Sequence, residues 1–209
     1  MSLEIVIVRH GETPYNLTGT IQGQTDIPLN ETGRRQAELA AKRLAGENFS
    51  FAYSSDLSRA MDTAKAIVPH LPVVADPRLR EWDLGDWQGV TLAEIEKLYP
   101  GGFRGFLNAG EEAKAPNGES SREVFLRVKS FLDELPEKHG DGKALIVSHG
   151  GAIRRMFHIL MGEHNSFAEL PQSDNTSVSR FLYRKDHWRL ISWNDTGHLA
   201  GFHLLGTRY

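Results

Sequence analysis

The fold is indicated most clearly by the N-terminal segment Leu3-Glu4-Ile5-Val6-Ile7-Val8-Arg9-His10-Gly11-Glu12-Thr13. The run from Leu3 to Val8 is apolar except for Glu4, and a short continuous apolar run is typical of a strand that is buried on both faces. Gly11 then allows the chain to turn. We therefore predict a buried strand of a parallel sheet, with His10 at its carboxyl end.

Further apolar runs predict neighbouring strands, and helical patterns lie between them. The predicted strands span 51–54, 73–75 and 144–147, and the predicted helices span 32–44, 57–71 and 151–161. Thr91 with Glu94, and Ser120 with Glu123, match capping boxes that begin two more helices. Strands that alternate with helices indicate an α/β sheet with helices on both faces.

Two segments near the C-terminus, 177–183 and 188–193, flank the polar residues Arg184-Lys185-Asp186-His187 and predict a hairpin at one sheet edge. The stretch 82–118 is rich in glycine and aromatic residues, and we interpret it as an irregular excursion from the sheet. The predicted architecture is a single domain over 1–209. It is a three-layer α/β/α sandwich around a mostly parallel sheet with an antiparallel edge hairpin.

The composition excludes several function classes. With 24 Lys and Arg against 27 Asp and Glu, the net charge of -3 favours neither nucleic acid nor an anionic membrane as a partner. The chain has no cysteine, which rules out disulfides, thiolate zinc sites and cysteine nucleophiles. No signal peptide pattern and no run of roughly 18 apolar residues is present, so we expect a cytoplasmic protein.

Polar side chains that can bind an anion follow three of the predicted strands. His10 follows the first strand, Ser148-His149-Gly150 follows the strand at 144–147, and Ser54-Ser55-Asp56-Leu57-Ser58-Arg59 opens a helix with Arg59 in its first turn. The carboxyl ends of parallel strands meet at one crevice, and a helix N-terminus favours anions. A packed or solvent-facing histidine is the structural alternative for each His-Gly pair alone. Together these residues make an anion site our hypothesis.

Arg9-His10-Gly11-Glu12-Thr13 with Asn16 resembles the opening signature of the histidine phosphatase superfamily, also called the phosphoglycerate mutase-like family. Further blocks resemble that family in the same order along nearly the whole chain. They are Gln22-Gly23 with Asp26, Ser54–Ala60, Leu79-Arg80-Glu81 with Gly85, Pro116–Ser120, and Ser148-His149-Gly150-Gly151 with Arg154.

The resemblance implies a role for each matching residue. His10 would attack phosphorus and become a phosphohistidine, while Glu81 would protonate the leaving oxygen and then activate water. The residues expected around the phosphoryl oxygens are Arg9, Arg59 and His149, and those expected to line the pocket are Asn16, Gln22 and Gly23. Two arginines and a histidinium would supply up to three positive charges. No step needs a metal or another cofactor, and the histidines show no metal-ligand spacing.

Rival phosphate chemistries lack their motifs, because the sequence has neither a GxxxxGK[ST] loop nor a DxDx[TV]-type aspartate pair. Mutases of the phosphoglycerate type typically carry Glu-Arg-His-Tyr-Gly at the acid block, where this chain reads Glu81-Trp82-Asp83-Leu84-Gly85. We therefore expect a phosphomonoesterase that acts on a small phosphorylated substrate. A cofactor-dependent phosphoglycerate mutase and a catalytically silent phosphate-binding module remain the alternatives, and a homodimer remains open.

Overall fold

A six-stranded sheet lies at the centre of the computed structural model, which describes residues 2–162 and 169–202. The strands are β1 (Ser2–Arg9), β2 (Phe51–Ser54), β3 (Val73–Ala75), β4 (Asp141–Ser148), β5 (Val178–Arg184) and β6 (His187–Asp195). They follow the order β3-β2-β4-β1-β5-β6. The first four are parallel, and β5 is antiparallel to both of its neighbours. The predicted fold class, a mostly parallel sheet with an antiparallel edge hairpin, is confirmed.

Helices cover both faces of the sheet. They are α1 (Pro14–Thr18), α2 (Glu31–Leu44), α3 (Ser58–Ile67), α4 (Leu92–Leu98), α5 (Gly102–Asn108), α6 (Ser121–His139) and α7 (Gly150–Met161). Side chains alternate between the faces of a strand. Accordingly Ile5 and Ile7 of β1 join a cluster with α6 and α7, whereas Val6 and Val8 join one with α2 and α3. No helix within the described residues is both long enough and apolar enough to span a membrane.

The helix predicted over 57–71 is shorter in the structure, where α3 ends at Ile67. Val68 adopts φ -126° and ψ 64°, outside the helical region. The ring of Pro69 disfavours helical dihedrals for the residue before it, so the apolar pattern beyond Ile67 cannot continue the helix. The prediction was wrong at this end because it followed hydrophobic spacing past a proline.

The edge hairpin has a tighter turn than the sequence predicted. β5 continues to Arg184 and β6 begins at His187, so the loop consists of Lys185 and Asp186 alone. Both have positive φ values, 54° and 61°, as a two-residue turn of the I′ type requires. The prediction was too long because all four residues from Arg184 to His187 are polar, although only the middle two form the turn.

The excursion at 82–118 contains more regular structure than expected. The capping box of Thr91 and Glu94 begins α4, as predicted. The second helix, α5, follows Gly101 at φ 72° and has no side-chain cap. Its segment is rich in glycine, which disfavours helix, so packing against the rest of the excursion stabilises α5. The sequence carried no local signal for it.

Candidate active site

The loop that follows β1 presents His10 at the carboxyl ends of the parallel strands. The His10 amide donates to the Ser148 carbonyl at 3.0 Å, which joins the ends of β1 and β4. The Gly11 amide donates to Thr63 Oγ1 of α3 at 3.1 Å. A Cβ at Gly11 would overlap the carbonyl oxygen of Gly33 in α2, so only glycine allows this close approach. The loop is therefore held by β4 on one side and by α2 and α3 on the other.

The imidazole of His10 is held in one tautomer. Its Nδ1 lies 2.7 Å from the Gly11 carbonyl oxygen, and because a carbonyl only accepts, Nδ1 carries the proton. The lone pair therefore lies on Nε2. Burial, the positive charge of Arg59 and that of Arg9 hold the pKa of His10 well below its usual value. At neutral pH the ring is uncharged, as a nucleophile must be.

Three residues just before β5 support His10 and Arg9, and sequence reasoning missed them. Asn175 Nδ2 donates to the His10 carbonyl at 2.8 Å. Arg9 Nη1 donates to the Ser173 carbonyl at 2.6 Å, and the Thr176 amide donates to the Arg9 carbonyl at 3.0 Å. The polar run Ser173-Asp174-Asn175-Thr176-Ser177 ahead of β5 was the available signal, but nothing local linked it to β1.

Arg59 is fully buried and contacts both the loop at residues 23–25 and His149. Its Nη1 donates to the Thr25 carbonyl and its Nη2 to the Gly23 carbonyl, each at 2.8 Å. Its Nε donates to His149 Nδ1 at 3.2 Å. Burial lowers the pKa of Arg59 to about 10, so the guanidinium still carries its charge at neutral pH. A guanidinium has five N–H donors, which leaves two beyond these three bonds.

His149 is neutral in this structure, which corrects the expected histidinium. A guanidinium can only donate, so Nδ1 of His149 accepts from Arg59 and Nε2 carries the proton. Burial and the charge of Arg59 hold the pKa of His149 well below its usual value. The ring centroids of His10 and His149 are 5.1 Å apart. The buried Nε2 of His149 makes no hydrogen bond to any described residue.

The carboxylate of Glu81 lies on the N-terminus of α7. Its Oε1 accepts from the amides of Trp82 at 2.8 Å and Ala152 at 3.1 Å, and its Oε2 accepts from the amide of Gly151 at 3.0 Å. These last two amides belong to the first turn of α7, where N–H groups have no partner within the helix. A Cβ at Gly151 would collide with Glu81 Oε1, so glycine at this position admits the carboxylate.

Thr13 orients the two amide side chains that were predicted to line the pocket. Its Oγ1 donates to Gln22 Oε1 at 2.8 Å, and its amide donates to Asn16 Oδ1 at 3.1 Å. With their carbonyl oxygens bound, both side chains have their N–H groups left for a ligand. Asn16 Nδ2 is buried and forms no hydrogen bond with the described residues. Gly23 takes part through its backbone, because its carbonyl accepts from Arg59.

One cavity brings most of the predicted site residues together. It is lined by Arg9, His10, Asn16, Gln22, Gly23, Arg59 and Glu81. His149 does not line it and instead lies fully buried beside His10. The cavity also has an apolar part, which consists of Ile21, Trp82, Leu84, Phe103, Phe106 and Leu107. Among the described lining residues, Glu81 carries the only carboxylate.

The model of the histidine phosphatase superfamily (branch 1) matches residues 5–196. The chain belongs to the histidine phosphatase superfamily. The resemblance stated from the sequence is thereby confirmed, and so is the expected class of histidine-dependent phosphatase.

Relatives of this superfamily member carry both phosphatase and mutase-like names. It is 38% identical over 202 residues to phosphoglycerate mutase-like protein 4 of Arabidopsis thaliana, covering 94% of this chain and 86% of the relative. The structure of a mycobacterial glucosyl-3-phosphoglycerate phosphatase superposes with a TM-score of 0.86 at 32% identity, covering 94% and 100% of the two chains. Phosphoserine phosphatase from Entamoeba histolytica, solved as a mutant in complex with phosphoserine, gives 0.85 at 31% identity, covering 94% and 99%.

Proposed function

We propose that this superfamily member is a phosphomonoesterase that hydrolyses a small phosphorylated metabolite through a phosphohistidine at His10. One observation carries the proposal. The His10 ring is neutral, its Nδ1 proton is bound to the Gly11 carbonyl, and it shares one cavity with the guanidinium groups of Arg9 and Arg59 and with Glu81. An uncharged imidazole with a free Nε2 lone pair, surrounded by positive charge, suits attack on a phosphate ester.

The phosphoryl group binds at the basic end of the cavity. Arg9 and Arg59 supply two positive charges against the two negative charges of a phosphate monoester at neutral pH, and Arg154, which also lines the cavity, supplies a third. The N–H groups of Asn16 and Gln22 donate to its oxygens, while His149 accepts from Arg59 and so helps to hold that guanidinium in place. These donors are held in place before the substrate arrives, so charge that develops on the phosphoryl oxygens meets preorganised hydrogen bonds.

The reaction proceeds in two balanced steps. In the first, Nε2 of His10 forms a bond to phosphorus while the ester oxygen leaves with a proton from the carboxylic acid of Glu81. In the second, the Glu81 carboxylate takes a proton from water, the hydroxide oxygen bonds to phosphorus and the P–N bond breaks. Inorganic phosphate and neutral His10 result. Oε2 of Glu81 accepts one hydrogen bond and Oε1 accepts two, so we assign the transferred proton to Oε2.

The apolar part of the cavity contacts the leaving group. Trp82, Phe103 and Phe106 from the excursion line the same cavity as the basic residues. A leaving group with apolar or aromatic surface would displace water from this part on binding, which favours association. The apolar part therefore favours substrates with an apolar portion next to the phosphate ester.

A mutase is the second candidate, because the Arabidopsis thaliana relative bears the name phosphoglycerate mutase-like protein 4. A mutase must return the phosphoryl group to a bound acceptor before water reaches it. An assay with 3-phosphoglycerate and a bisphosphoglycerate distinguishes the two candidate functions. A mutase interconverts the monophosphates, whereas a phosphomonoesterase releases inorganic phosphate.

The test is a panel of phosphomonoesters scored for released phosphate, followed by rapid acid-free quenching with labelled substrate. We expect turnover of at least one ester and acid-labile label on the wild-type protein. A protein that binds phosphate esters but releases no phosphate and retains no label is the silent binding module, and the proposal is then wrong.

We also propose that hydrolysis needs no metal or other cofactor. The guanidinium groups of the cavity supply the positive charge that a metal would supply to the phosphoryl group. EDTA should then leave the rate unchanged, and a loss of rate that one divalent cation restores would contradict this.

We further propose that residues 1–209 form one domain. We place the enzyme in the cytoplasm, since a chain without cysteine suits a reducing compartment.

A further inference from the structure

Arg127 of α6 lies outside the cavity and binds the backbone that carries Glu81. Its Nη1 donates to the carbonyls of Arg78 at 2.9 Å and Arg80 at 2.8 Å. Its Nη2 donates to the carbonyl of Glu81 at 2.8 Å. A single guanidinium thus satisfies three carbonyls within four consecutive residues. The segment has no helix or strand of its own at Glu81 to do this.

Glu119 holds the guanidinium from the other side and continues the network past Glu81. It accepts from Arg127 Nε at 2.8 Å through Oε1 and from Nη2 at 3.0 Å through Oε2. Its Oε2 also accepts from the Asp83 amide at 2.9 Å, and its carbonyl accepts from Trp82 Nε1 at 2.8 Å. The residues just after Glu81 are therefore tied to the same ion pair as the residues before it.

Glu81 is held both at its carboxylate and at its backbone, where its carbonyl also accepts from Gln24 Nε2 at 3.1 Å. The N-terminus of α7 holds its carboxylate, and the ion pair of Arg127 and Glu119 holds its backbone. The first support belongs to the cavity and the second does not, because neither Arg127 nor Glu119 lines it. Catalytic groups need to be held within about 0.5 Å of the productive position, which one anchor at the tip of a flexible side chain does not ensure.

We propose that Arg127 and Glu119 are positioning residues, which hold the Glu81 backbone so that its carboxyl group reaches the leaving oxygen. The inference rests on the proposed function of Glu81 as the acid. The ion pair is mostly buried, with 16% of the Arg127 side chain and 21% of the Glu119 side chain exposed. Stability alone does not require such a pair, because apolar residues of similar volume often replace buried ion pairs without loss.

The competing explanation is that the pair only stabilises the fold, and Arg180 provides a matched control. Arg180 on β5 has 13% of its side chain exposed and pairs with Glu4 and Glu47. It is as buried as Arg127, it binds two carboxylates, and it does not line the cavity. Arg180→Met should lower thermal stability while leaving the dependence on the leaving group unchanged.

The experiment measures single-turnover phosphorylation of wild type, Arg127→Met, Arg127→Lys and Arg180→Met with an alkyl phosphate and with p-nitrophenyl phosphate. A misplaced acid matters only when the leaving group needs its proton. We expect Arg127→Met to lose about 10- to 100-fold with the alkyl ester and little with the nitrophenyl ester, the size that misplacement by about 1 Å produces. KM should change little, and Arg127→Lys should recover part of the loss.

Equal losses with both esters, or the same pattern in Arg180→Met, would overturn the positioning role. Full recovery in Arg127→Lys would also overturn it, because one ammonium group supplies the charge but not the fork that reaches three carbonyls. If Arg127→Met does not fold, Glu119→Gln takes its place, and it should show the same dependence on the leaving group. A wild-type protein that releases phosphate from no ester of the panel refutes the proposed function itself, which is a separate outcome.

Discussion

The two sides of the cavity are built in different ways. On the basic side, loops at the ends of β1 and β4 are fixed by backbone hydrogen bonds and by glycines such as Gly11 that leave no room for a side chain. On the apolar side, the excursion packs through aromatic rings, such as Trp82 against Phe106 with centroids 4.7 Å apart. Backbone contacts tolerate almost no change, whereas packed rings can be exchanged for others of similar volume.

This difference separates the residues proposed to react with phosphorus from those proposed to select the leaving group. In the proposed mechanism, the groups that act on phosphorus belong to the side that tolerates little change, and the groups that meet the leaving group belong to the side that tolerates more. Glu81 joins the two, because its carboxylate lies on α7 while its chain leads directly into Trp82 and the excursion. Substitutions on the two sides should therefore produce effects of different kinds as well as different sizes.

The largest effect should come from the basic side. We expect His10→Ala to lower turnover by at least ~10⁴-fold, because no other group can form the phosphoryl–enzyme bond. Steady-state phosphate release and trapping of labelled enzyme measure this. His187→Ala, which removes an exposed histidine at the edge hairpin, should retain full activity. Substantial turnover in a folded His10→Ala protein would exclude His10 as the nucleophile.

Glu81→Gln should have the next largest effect, and its size should depend on the leaving group. General acid catalysis contributes roughly 10²- to 10⁴-fold, and an alkoxide needs the proton far more than nitrophenolate does. Single-turnover phosphorylation should therefore fall strongly with an alkyl phosphate and much less with p-nitrophenyl phosphate. If both rates fall equally, Glu81 is not the acid. Asp83 and Glu12 would be poor substitutes, since neither lines the cavity.

A smaller effect should come from the apolar side. Phe103 lines the cavity and packs at the edge of the aromatic cluster. Phe103→Ala should raise KM for an aromatic phosphate by up to ~10-fold through lost apolar contact, with the phosphorylation rate unchanged. Leu98→Ala, an exposed residue of α4 outside this cavity, serves as the control. A fall in the single-turnover rate instead would mean that the two sides are not separable.

The smallest effect is on stability and concerns the buried imidazoles. The pKa of His10 is lowered in the folded state, so below its ordinary value of 6.5 the unfolded chain binds a proton that the folded chain does not. Stability is therefore present above pH 6.5 and is lost as the pH falls below it. Urea unfolding should show His10→Gln losing part of this slope, up to about 1.4 kcal/mol per pH unit. Phe103→Ala should keep the wild-type slope, and an identical slope in His10→Gln would contradict the assignment.

Much of the scaffold could be read from local patterns. Apolar runs predicted β1 to β4, and the capping boxes at Thr91 and Ser120 predicted where α4 and α6 begin. The failures were also local in origin. The helix predicted over 57–71 was too long because hydrophobic spacing continues past Pro69. No local pattern predicts α5, because three of the eight residues from 101 to 108 are glycines, at 101, 102 and 105.

Local patterns specify which elements form and which residues follow the strands, because periodicity, caps and turn residues act over a few neighbours. They were enough to predict that His10, Arg59 and His149 lie at one edge of the sheet. Long-range packing sets which nitrogen of each histidine is protonated and which distant residues support the site. Asn175 reaches the His10 carbonyl across 165 residues, and Arg127 reaches Glu81 across 46. Such contacts depend on how whole elements pack, and no pattern within a short window encodes them.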